Sequence, residues 1–199
     1  MDFLEKVKGF LMEPSKTFDA VRDEPLEEAV KYYAIIAVIY SALFALMFAF
    51  VGSLTGSMMG FGSLGTMMGA SVGIGAAVIF FVMFLVFAIA GAFIGGVILH
   101  IFVYIVGGRK GIAQTIKAGM YGSTPYLLLG WIPFIGFIAA IWSLVVEIVG
   151  IRQLHELTTG RAVLAFALLI IVGIILTILL VAVMATFIFG MAGRSPYGY

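Results

Sequence analysis

Uncharged, mostly hydrophobic residues fill two long stretches of this chain. From Tyr32 through Gly108, 77 consecutive positions carry no Asp, Glu, Lys or Arg, and a second uncharged stretch runs from Ala162 to Gly193. A bilayer core of about 30 Å requires about 20 consecutive apolar residues in a helix that spans it. The pattern therefore predicts an all-α integral membrane protein, folded as a polytopic helical bundle.

The hydrophobic stretches divide into five predicted transmembrane helices. Three of these are uninterrupted runs, at 32–51, 75–106 and 162–189. The run 119–151 is too long for one span, and Pro125 and Pro133 interrupt it. A single crossing would place Arg109, Lys110 and Lys117 opposite Arg152 and Arg161, whereas a hairpin places all five on one side. Because basic residues concentrate on the cytoplasmic side, we interpret this run as a hairpin of two short spans.

Glycine sets the expected connection between the first two spans. Residues 52–75 contain eight glycines, and each glycine lowers helix propensity by about 1 kcal/mol. We therefore predict a loop or a loose interfacial segment at 53–70. The predicted transmembrane domain is 32–190, followed by a short external tail at 191–199.

Residues 1–31 have a different pattern, with eight acids, five bases and a regular spacing of apolar side chains. Phe3, Val7, Phe10 and Leu11 fall on one face of a helix. The spacing predicts an amphipathic cytoplasmic segment, which either lies on the membrane interface or docks under the bundle. The apolar face supplies the larger part of the expected docking energy, because exposed charge pairs contribute little.

The distribution of basic residues predicts the orientation. With five spans, ten of the 11 Lys and Arg residues lie on the side of the N-terminal segment, and only Arg194 lies on the other. Cytoplasmic loops of membrane proteins carry the excess of Lys and Arg. The prediction is a multi-pass protein of the plasma membrane, with its N-terminus in the cytoplasm and its C-terminus outside.

Composition excludes several classes of function. Charged residues make up 11% of the chain and the formal net charge is +1, which argues against a nucleic-acid partner. Cysteine is absent, so the sequence offers no thiolate metal site and no cysteine nucleophile. The sequence contains no phosphate-binding loop motif and no Ser, His and Asp arrangement typical of hydrolases. We predict no enzymatic activity, no catalytic residue, no cofactor and no metal.

Glu147 is the only acid inside a predicted span, and an ionisable group there is costly and a functional candidate. It belongs to a predicted polar cluster on the cytoplasmic side. The cluster contains His100, Tyr104, Lys117, Tyr121, Glu147, Arg152 and His155. One interpretation is a pocket for a proton, an ion or a lipid headgroup. The other is a structural pair that locks the bundle, in which Glu147 meets a nearby base or hydroxyl from another segment, with His100, Lys117 and Arg152 as the expected candidates.

Small residues form a stripe within the second predicted span. Gly91 and Gly95 are four positions apart, and Ala88, Ala92 and Gly96 flank them. Small residues at this spacing let two helices approach closely in a membrane. We therefore predict a helix–helix contact at Gly91 and Gly95.

Several short motifs resemble prokaryotic members of the Yip1-domain family of membrane proteins, in particular the archaeal branch, over about residues 9–185. The motifs are Gly9-Phe10, Glu13-Pro14-Ser15-Lys16-Thr17-Phe18, Ala118-Gly119-Met120-Tyr121-Gly122-Ser123-Thr124-Pro125, Ile132-Pro133, Ile141-Trp142 and Gly150-Ile151-Arg152-Gln153-Leu154-His155. The resemblance implies a five-span fold, a cytoplasmic N-terminus and no enzymatic activity. It also implies work with other membrane proteins, because eukaryotic relatives act with small GTPases and partner proteins in vesicle traffic and membrane shaping.

The resemblance does not extend to every feature of the eukaryotic relatives. Their long polar N-terminal region and their acidic Asp-Leu-Tyr-Gly-Pro type motif are not present in this sequence. We therefore do not carry over GTPase binding, and a prokaryotic plasma membrane fits better.

Two functions remain as hypotheses. The first is a non-enzymatic scaffold or adaptor that acts through the bilayer and through other membrane proteins, including copies of itself. The alternative is a small transporter, channel or lipid-handling protein that uses a polar pocket around Glu147.

Overall fold

The computed structural model describes residues 1–58 and 62–192, and all regular elements in this part of the chain are α-helices. In chain order they are α1 (Phe3–Met12), α2 (Pro14–Ala20), α3 (Leu26–Met58), α4 (Gly62–Ile105), α5 (Ile112–Gly122), α6 (Thr124–Leu129), α7 (Ile135–Leu154) and α8 (Thr159–Ala192). The predicted all-α bundle is confirmed. The external tail expected at 191–199 lies, from residue 193 onward, outside the described residues.

Four helices within the described residues are long and apolar enough to cross a membrane. The candidate spans are Leu26–Phe48, Ala77–Ile105, Ile135–Leu154 and Thr159–Phe187. The prediction of five such helices is therefore wrong by one. The segment expected to form the third span is divided into α5 and α6, which have 11 and 6 residues. The division falls beside Pro125, which has no backbone N–H to donate and clashes with the preceding turn of a helix.

The hairpin predicted for 119–151 is present in the fold, with a kinked first arm made of α5 and α6. This arm runs antiparallel to α7. Gly122 lies against the backbone of Glu147, and further along the arm the backbone N–H of Tyr126 donates to Ser143 Oγ at 2.8 Å. The turn between the two arms contains Phe134, which has a positive φ of 65° and is 93% exposed.

The glycine-rich connection between the first two spans is mostly helical, so the predicted loop at 53–70 is wrong. Helix α3 continues to Met58 and α4 begins at Gly62. Glycine costs about 1 kcal/mol per residue in a helix, but intrinsic propensity is a weak predictor that the context of a fold overrides.

Residues 1–25, which contain α1 and α2, form an ordered N-terminal segment packed against the bundle. Asp2 and Glu5 close a capping box at the start of α1, with hydrogen bonds of 2.7 and 3.0 Å. Phe10, Phe18 and Val21 are completely buried, and these side chains belong to the same hydrophobic core as the spanning helices. The predicted docking of this segment is confirmed.

The buried core lies at the end of the bundle that holds the N-terminal segment. Its aromatic and aliphatic members include Phe10, Tyr32, Val103, Tyr121 and Ile151. Helix α8, by contrast, exposes large apolar side chains along most of its described length. In a membrane protein such a surface faces acyl chains, so the bilayer completes the burial that the protein itself does not provide.

Candidate functional site

Glu24, at the end of the N-terminal segment, is the centre of a polar network that the fold builds beneath the spanning helices. Its Oε2 atom accepts hydrogen bonds from Lys6 Nζ and from the Tyr121 hydroxyl, each at 2.7 Å. Lys117 Nζ donates to the backbone carbonyls of Arg22 and Glu24, at 2.7 and 2.6 Å. The network ties α1, the chain before α3, and α5 together.

The network keeps Glu24 ionised. Burial acts to raise the pKa of this carboxyl, but the hydrogen bonds from Lys6 and Tyr121 act in the opposite direction and hold the pKa below its ordinary value of 4.5. The side chain of Lys6 is itself only 8% exposed. At neutral pH Glu24 and Lys6 therefore form a partly buried ion pair that also receives the tyrosine hydroxyl.

Glu156 makes a second link between the N-terminal segment and the loops at this end. Its two carboxylate oxygens meet Arg22 at 3.3 Å and Lys110 at 2.7 Å. The hydrogen bond and the charge of Lys110 lower the pKa of Glu156. Charged side chains from residues 1–25, from the α4–α5 loop and from the α7–α8 loop thus meet at one end of the molecule.

Thr115 bridges the two histidines of the chain. The hydroxyl of this completely buried residue lies 2.7 Å from His100 Nδ1 and 2.9 Å from His155 Nε2. Because a hydroxyl has one proton to donate and two lone pairs that accept, threonine is the donor in at most one of these contacts and the acceptor in at least one. Among the side chains that the structure describes, no group of three or more His, Cys, Asp or Glu residues is arranged to hold a metal ion.

His155 is neutral at physiological pH. Burial, followed by the positive charges of His100 and Lys110, lowers the pKa of His155 to about 4. The side chain is 3% exposed, and its Nδ1 atom has no hydrogen-bond partner within the described part of the chain. A neutral imidazole held by a threonine hydroxyl is a structural link between α5 and the end of α7.

Two other members of the predicted cluster have separate partners. Arg152 donates to Ser15 Oγ at 3.1 Å and to Thr159 Oγ1 at 3.4 Å. The ring of Tyr104 lies under the guanidinium of Arg109, whose Cζ is 3.5 Å from the ring centroid. The ring of Tyr104 also lies beside His100, with centroids 6.5 Å apart. The predicted residues therefore fall into several local groups, and a single polar cluster that acts as one site stays a prediction.

Glu147 has a different environment from all of these residues. It is half-buried in α7, and its side chain and backbone lie against Gly122 of α5. Among the described side chains it forms no hydrogen bond and no ion pair. The expected pairing with His100, Lys117 or Arg152 is wrong, because those bases are held by Thr115, by the carbonyls of the N-terminal segment and by Ser15.

Glu147 lines a groove of about 400 Å³ between α3, α4, α5, α7 and α8. The apolar part of the lining comes mainly from α4 and α8, and the other polar side chains are Tyr33 and Ser123. The residues that line the groove are Tyr33, Phe87, Ala88, Gly91, Ala92, Gly95, Gly96, Leu99, Gly119, Ser123, Glu147, Phe166 and Leu169. No residue of the N-terminal segment is among them, so that segment does not cover Glu147.

Gly91 and Gly95 line this groove and do not pack against another described helix. A Cβ atom added at either position would meet no atom within 4 Å. The close approach between α4 and α5 occurs at Gly96, where an added Cβ would lie 2.7 Å from Ile116 Cγ1. The predicted contact at Gly91 and Gly95 is therefore wrong within the described chain, and the small residues widen a groove.

Sequence reasoning missed two central residues, Glu24 and Thr115. Glu24 stands in a charge-rich stretch beside Asp23, Glu27 and Glu28, so its sequence position does not distinguish it from a solvated acid. Thr115 lies on the buried face of the amphipathic helix α5. That position, on the same helix as the predicted Lys117, is the one signal that favoured a buried role.

The fold and these sites define a polytopic, all-helical membrane protein with a docked amphipathic N-terminal segment. The chain belongs to the Yip1 domain family, whose model matches residues 8–181. Members of this family are membrane proteins that work with other membrane proteins, and the family is not known for enzymatic activity. No curated protein and no solved structure matches this chain. An archaeal origin stays a prediction.

Proposed function

We propose that this protein is a non-enzymatic membrane scaffold or adaptor that binds other membrane proteins through its N-terminal segment. The observation that supports this most directly is the exposed face of that docked segment. Met12 is 80% exposed and Leu4 is 66% exposed, although α1 is held firmly on its opposite face by Phe10. An ordered helix that presents apolar side chains outward is suited to contact a partner or the lipid surface beside it.

A shallow groove between α1 and α2 adds to this surface. It has a volume of about 450 Å³ and is lined by Met1, Lys8, Gly9, Met12, Glu13, Lys16, Thr17 and Ala20. Its floor is mostly apolar and its rim carries charge, which is the usual composition of a protein interface. The proposed partners are other membrane proteins, with a second copy of this chain as one of them.

The proposed orientation places this surface in the cytoplasm. Arg109, Lys110, Lys117, Arg152 and Arg161 lie in or beside the connections at the same end of the bundle as the N-terminal segment. The positive-inside rule assigns such an end to the cytoplasm. On this basis the functional units are a cytoplasmic segment at 1–31, a transmembrane domain at 32–190 and an external tail at 191–199, in a prokaryotic plasma membrane.

Photo-crosslinking from defined positions tests the adaptor role. A photoreactive amino acid at Met12 is expected to crosslink to the same membrane protein in repeated experiments. The matched control is the same group at Ile171, which is 53% exposed on α8 and contacts acyl chains. With the photoreactive group kept at position 12, Leu4→Asp should strongly reduce the yield of this product while the protein still inserts. Equal crosslinking from positions 12 and 171, or an unchanged yield in Leu4→Asp, would contradict the proposal.

A second candidate function is the handling of lipids or small molecules, and the unpaired Glu147 favours it. A carboxyl group inside a spanning helix costs about 2.5–3.5 kcal/mol on insertion scales when it lies at the centre of the membrane. Pairing with another side chain does not offset that cost here. Flux into proteoliposomes that contain wild-type protein or Glu147→Gln tests this candidate, and flux that is equal in the two preparations would remove it.

A further inference from the structure

The polar side chains that line the Glu147 groove can act as hydrogen-bond acceptors. The Tyr33 hydroxyl donates its proton to the backbone carbonyl of Ala88 at 3.0 Å. The Ser123 hydroxyl donates its proton to the carbonyl of Met120 at 3.1 Å. Each hydroxyl keeps lone pairs that are free to accept, and an ionised carboxylate has only acceptors. When Glu147 is ionised, the polar side chains of the groove therefore offer acceptors and no free donor.

The lining of the groove contains an acidic residue and no basic one among the described residues. Glu147 brings a carboxylate, and no Lys, Arg or His is among the described residues that line the groove. The nearest predicted bases are engaged elsewhere, since Lys117 binds the carbonyls of Arg22 and Glu24. A ligand that brings positive charge together with several hydrogen-bond donors stabilises the ionised form of this carboxyl group.

The rest of the lining is hydrophobic, so the part of the ligand beyond its charged group is expected to be apolar. Phe87, Leu99, Phe166 and Leu169 provide hydrophobic walls, and the glycines of α4 leave room between them. Phe87 belongs to the candidate span Ala77–Ile105 and is 67% exposed. One side of the groove is therefore accessible from the acyl-chain region of the bilayer, which is where an amphiphilic ligand resides.

We infer that the groove binds the primary ammonium group of an amphiphile, with Glu147, Tyr33 and Ser123 as acceptors and the walls from α4 and α8 around its alkyl chain. A primary ammonium has three N–H donors, which matches a carboxylate and two hydroxyl oxygens. This inference rests on the second candidate function and is independent of the adaptor role. Both an aminophospholipid headgroup and a free alkyl amine carry this chemistry.

Native mass spectrometry of the full-length protein in detergent, with dodecylamine as the probe, tests the inference. Glu147→Gln should weaken dodecylamine binding about tenfold or more, because a charge-assisted hydrogen bond is lost. The matched control is Glu156→Gln, which removes an exposed carboxyl outside the groove and should bind like wild type. Gly91→Leu should also weaken binding, because its side chain fills the groove while Glu147 stays intact.

Three further probes test whether the groove recognises the ammonium group itself. Dodecanol has the same chain without charge, and dodecyltrimethylammonium has the charge without N–H donors, so both should bind more weakly than dodecylamine. Sodium chloride should compete no better than choline chloride. Equal binding of dodecanol, unchanged binding in Glu147→Gln, or displacement by sodium alone would each overturn the inference.

Nanodiscs distinguish the two sources of the ammonium. Protein extracted from phosphatidylethanolamine discs that retains this lipid, with retention lost in Glu147→Gln and absent for phosphatidylcholine, identifies a lipid headgroup. Binding of dodecylamine without retention of phosphatidylethanolamine identifies a free amine. If neither ligand depends on Glu147, the inference is wrong. Crosslinking from position 12, measured on the same Glu147→Gln preparation, reports the adaptor role separately.

Discussion

Two glutamates of this protein, Glu24 and Glu147, are partly buried but differ in their partners. Glu24 receives hydrogen bonds from Lys6 and Tyr121, each 2.7 Å long, and so holds the N-terminal segment against α5. Glu147 has no such donor among the described side chains. Removing one partner of a buried pair leaves the other unsatisfied, which costs more than the pair contributes. Glu24 is therefore a structural residue, and Glu147 is free to act on a ligand.

Phe10 carries much of the docking energy of the N-terminal segment. It is completely buried, stacks on Tyr121 with ring centroids 4.8 Å apart, and contacts Phe18 at 4.9 Å. Phe10→Ala should destabilise the docked segment by about 3–5 kcal/mol, the usual cost of truncating a buried phenylalanine. In limited proteolysis, residues 1–25 should therefore be cleaved faster in Phe10→Ala than in the wild type.

The control for this variant is Leu4→Ala on the same helix. Leu4 is 66% exposed, so its truncation should leave the cleavage rate near that of the wild type. Equal protection of the segment in Phe10→Ala and wild type would show that the aromatic contacts do not hold it.

At the residue scale, the regular spacing of apolar residues predicted the buried face of α1. It did not predict the partners of the polar residues. The spacing of Phe3, Val7 and Phe10 is enough to place them on one face. The pairing of Glu147 with a base was wrong because Lys117 reaches the carbonyls of Arg22 and Glu24 instead. Such choices depend on which segments meet in three dimensions, which the spacing of residues along the chain does not encode.

At the scale of elements, the contact between α5 and α7 requires a residue without a side chain at Gly122. A Cβ atom added at Gly122 would lie 2.8 Å from Glu147 Cα and 2.9 Å from its backbone nitrogen. Because backbone atoms cannot move aside as a side-chain end can, Gly122→Ala should separate the helices and lower the thermal unfolding temperature in detergent.

Gly119 provides the matched comparison on the same helix. An added Cβ there would meet nothing within 4 Å, so Gly119→Ala should gain about 1 kcal/mol of helix propensity. The two variants should therefore shift the unfolding temperature in opposite directions. A shift of the same sign in both would refute the close contact at Gly122.

Acid should release the N-terminal segment. The pKa of Glu24 is lower in the folded protein than its ordinary value of 4.5, so its contribution to docking is fully present above that value. The contribution is lost as the pH falls from 4.5 through the lowered pKa. Trp142 Nε1 donates to the carbonyl of Leu11 at 3.2 Å, so the fluorescence of Trp142 in a Trp131→Phe background reports docking.

The expected result is a fluorescence change below pH 4.5 that is smaller in Glu24→Gln, in which this carboxyl cannot titrate. Glu13→Gln is a suitable control, because Glu13 forms only an exposed pair with Lys16. A transition of the same size and midpoint in wild type and Glu24→Gln would exclude Glu24 as its origin.

The length of the hydrophobic runs predicted most of the helices. The prediction failed in two segments, one interrupted by proline and one rich in glycine. The positions of α3, α4 and α8 follow from uncharged runs long enough to cross a bilayer, and that of α7 follows from the second part of the apolar run 119–151. The first arm of the hairpin is kinked because Pro125 stops a continuous helix. The glycine-rich connection was expected to be a loop because intrinsic propensity disfavours glycine in helices, but such propensities are weak and the surrounding fold overrides them.

For the whole molecule, the structure concentrates charge at one end and apolar surface along the sides. Lys110, Glu156 and Arg22 meet there, while α8 exposes its hydrophobic side chains to the surroundings. The sequence predicted this division because the charges lie before the first span and between later spans. It did not predict the groove at Glu147, because a groove is a gap left by the packing of five helices.

The central claim is that the docked N-terminal segment lies on the cytoplasmic side of a membrane-spanning bundle. The natural chain has no cysteine, so single cysteines can be placed at Lys16, whose side chain is 81% exposed, and at Phe134, which is 93% exposed in the hairpin turn. Labelling of intact cells with a membrane-impermeant maleimide should modify position 134 and not position 16 until the membrane is opened. Labelling of position 16 from outside, with position 134 protected, would contradict the account.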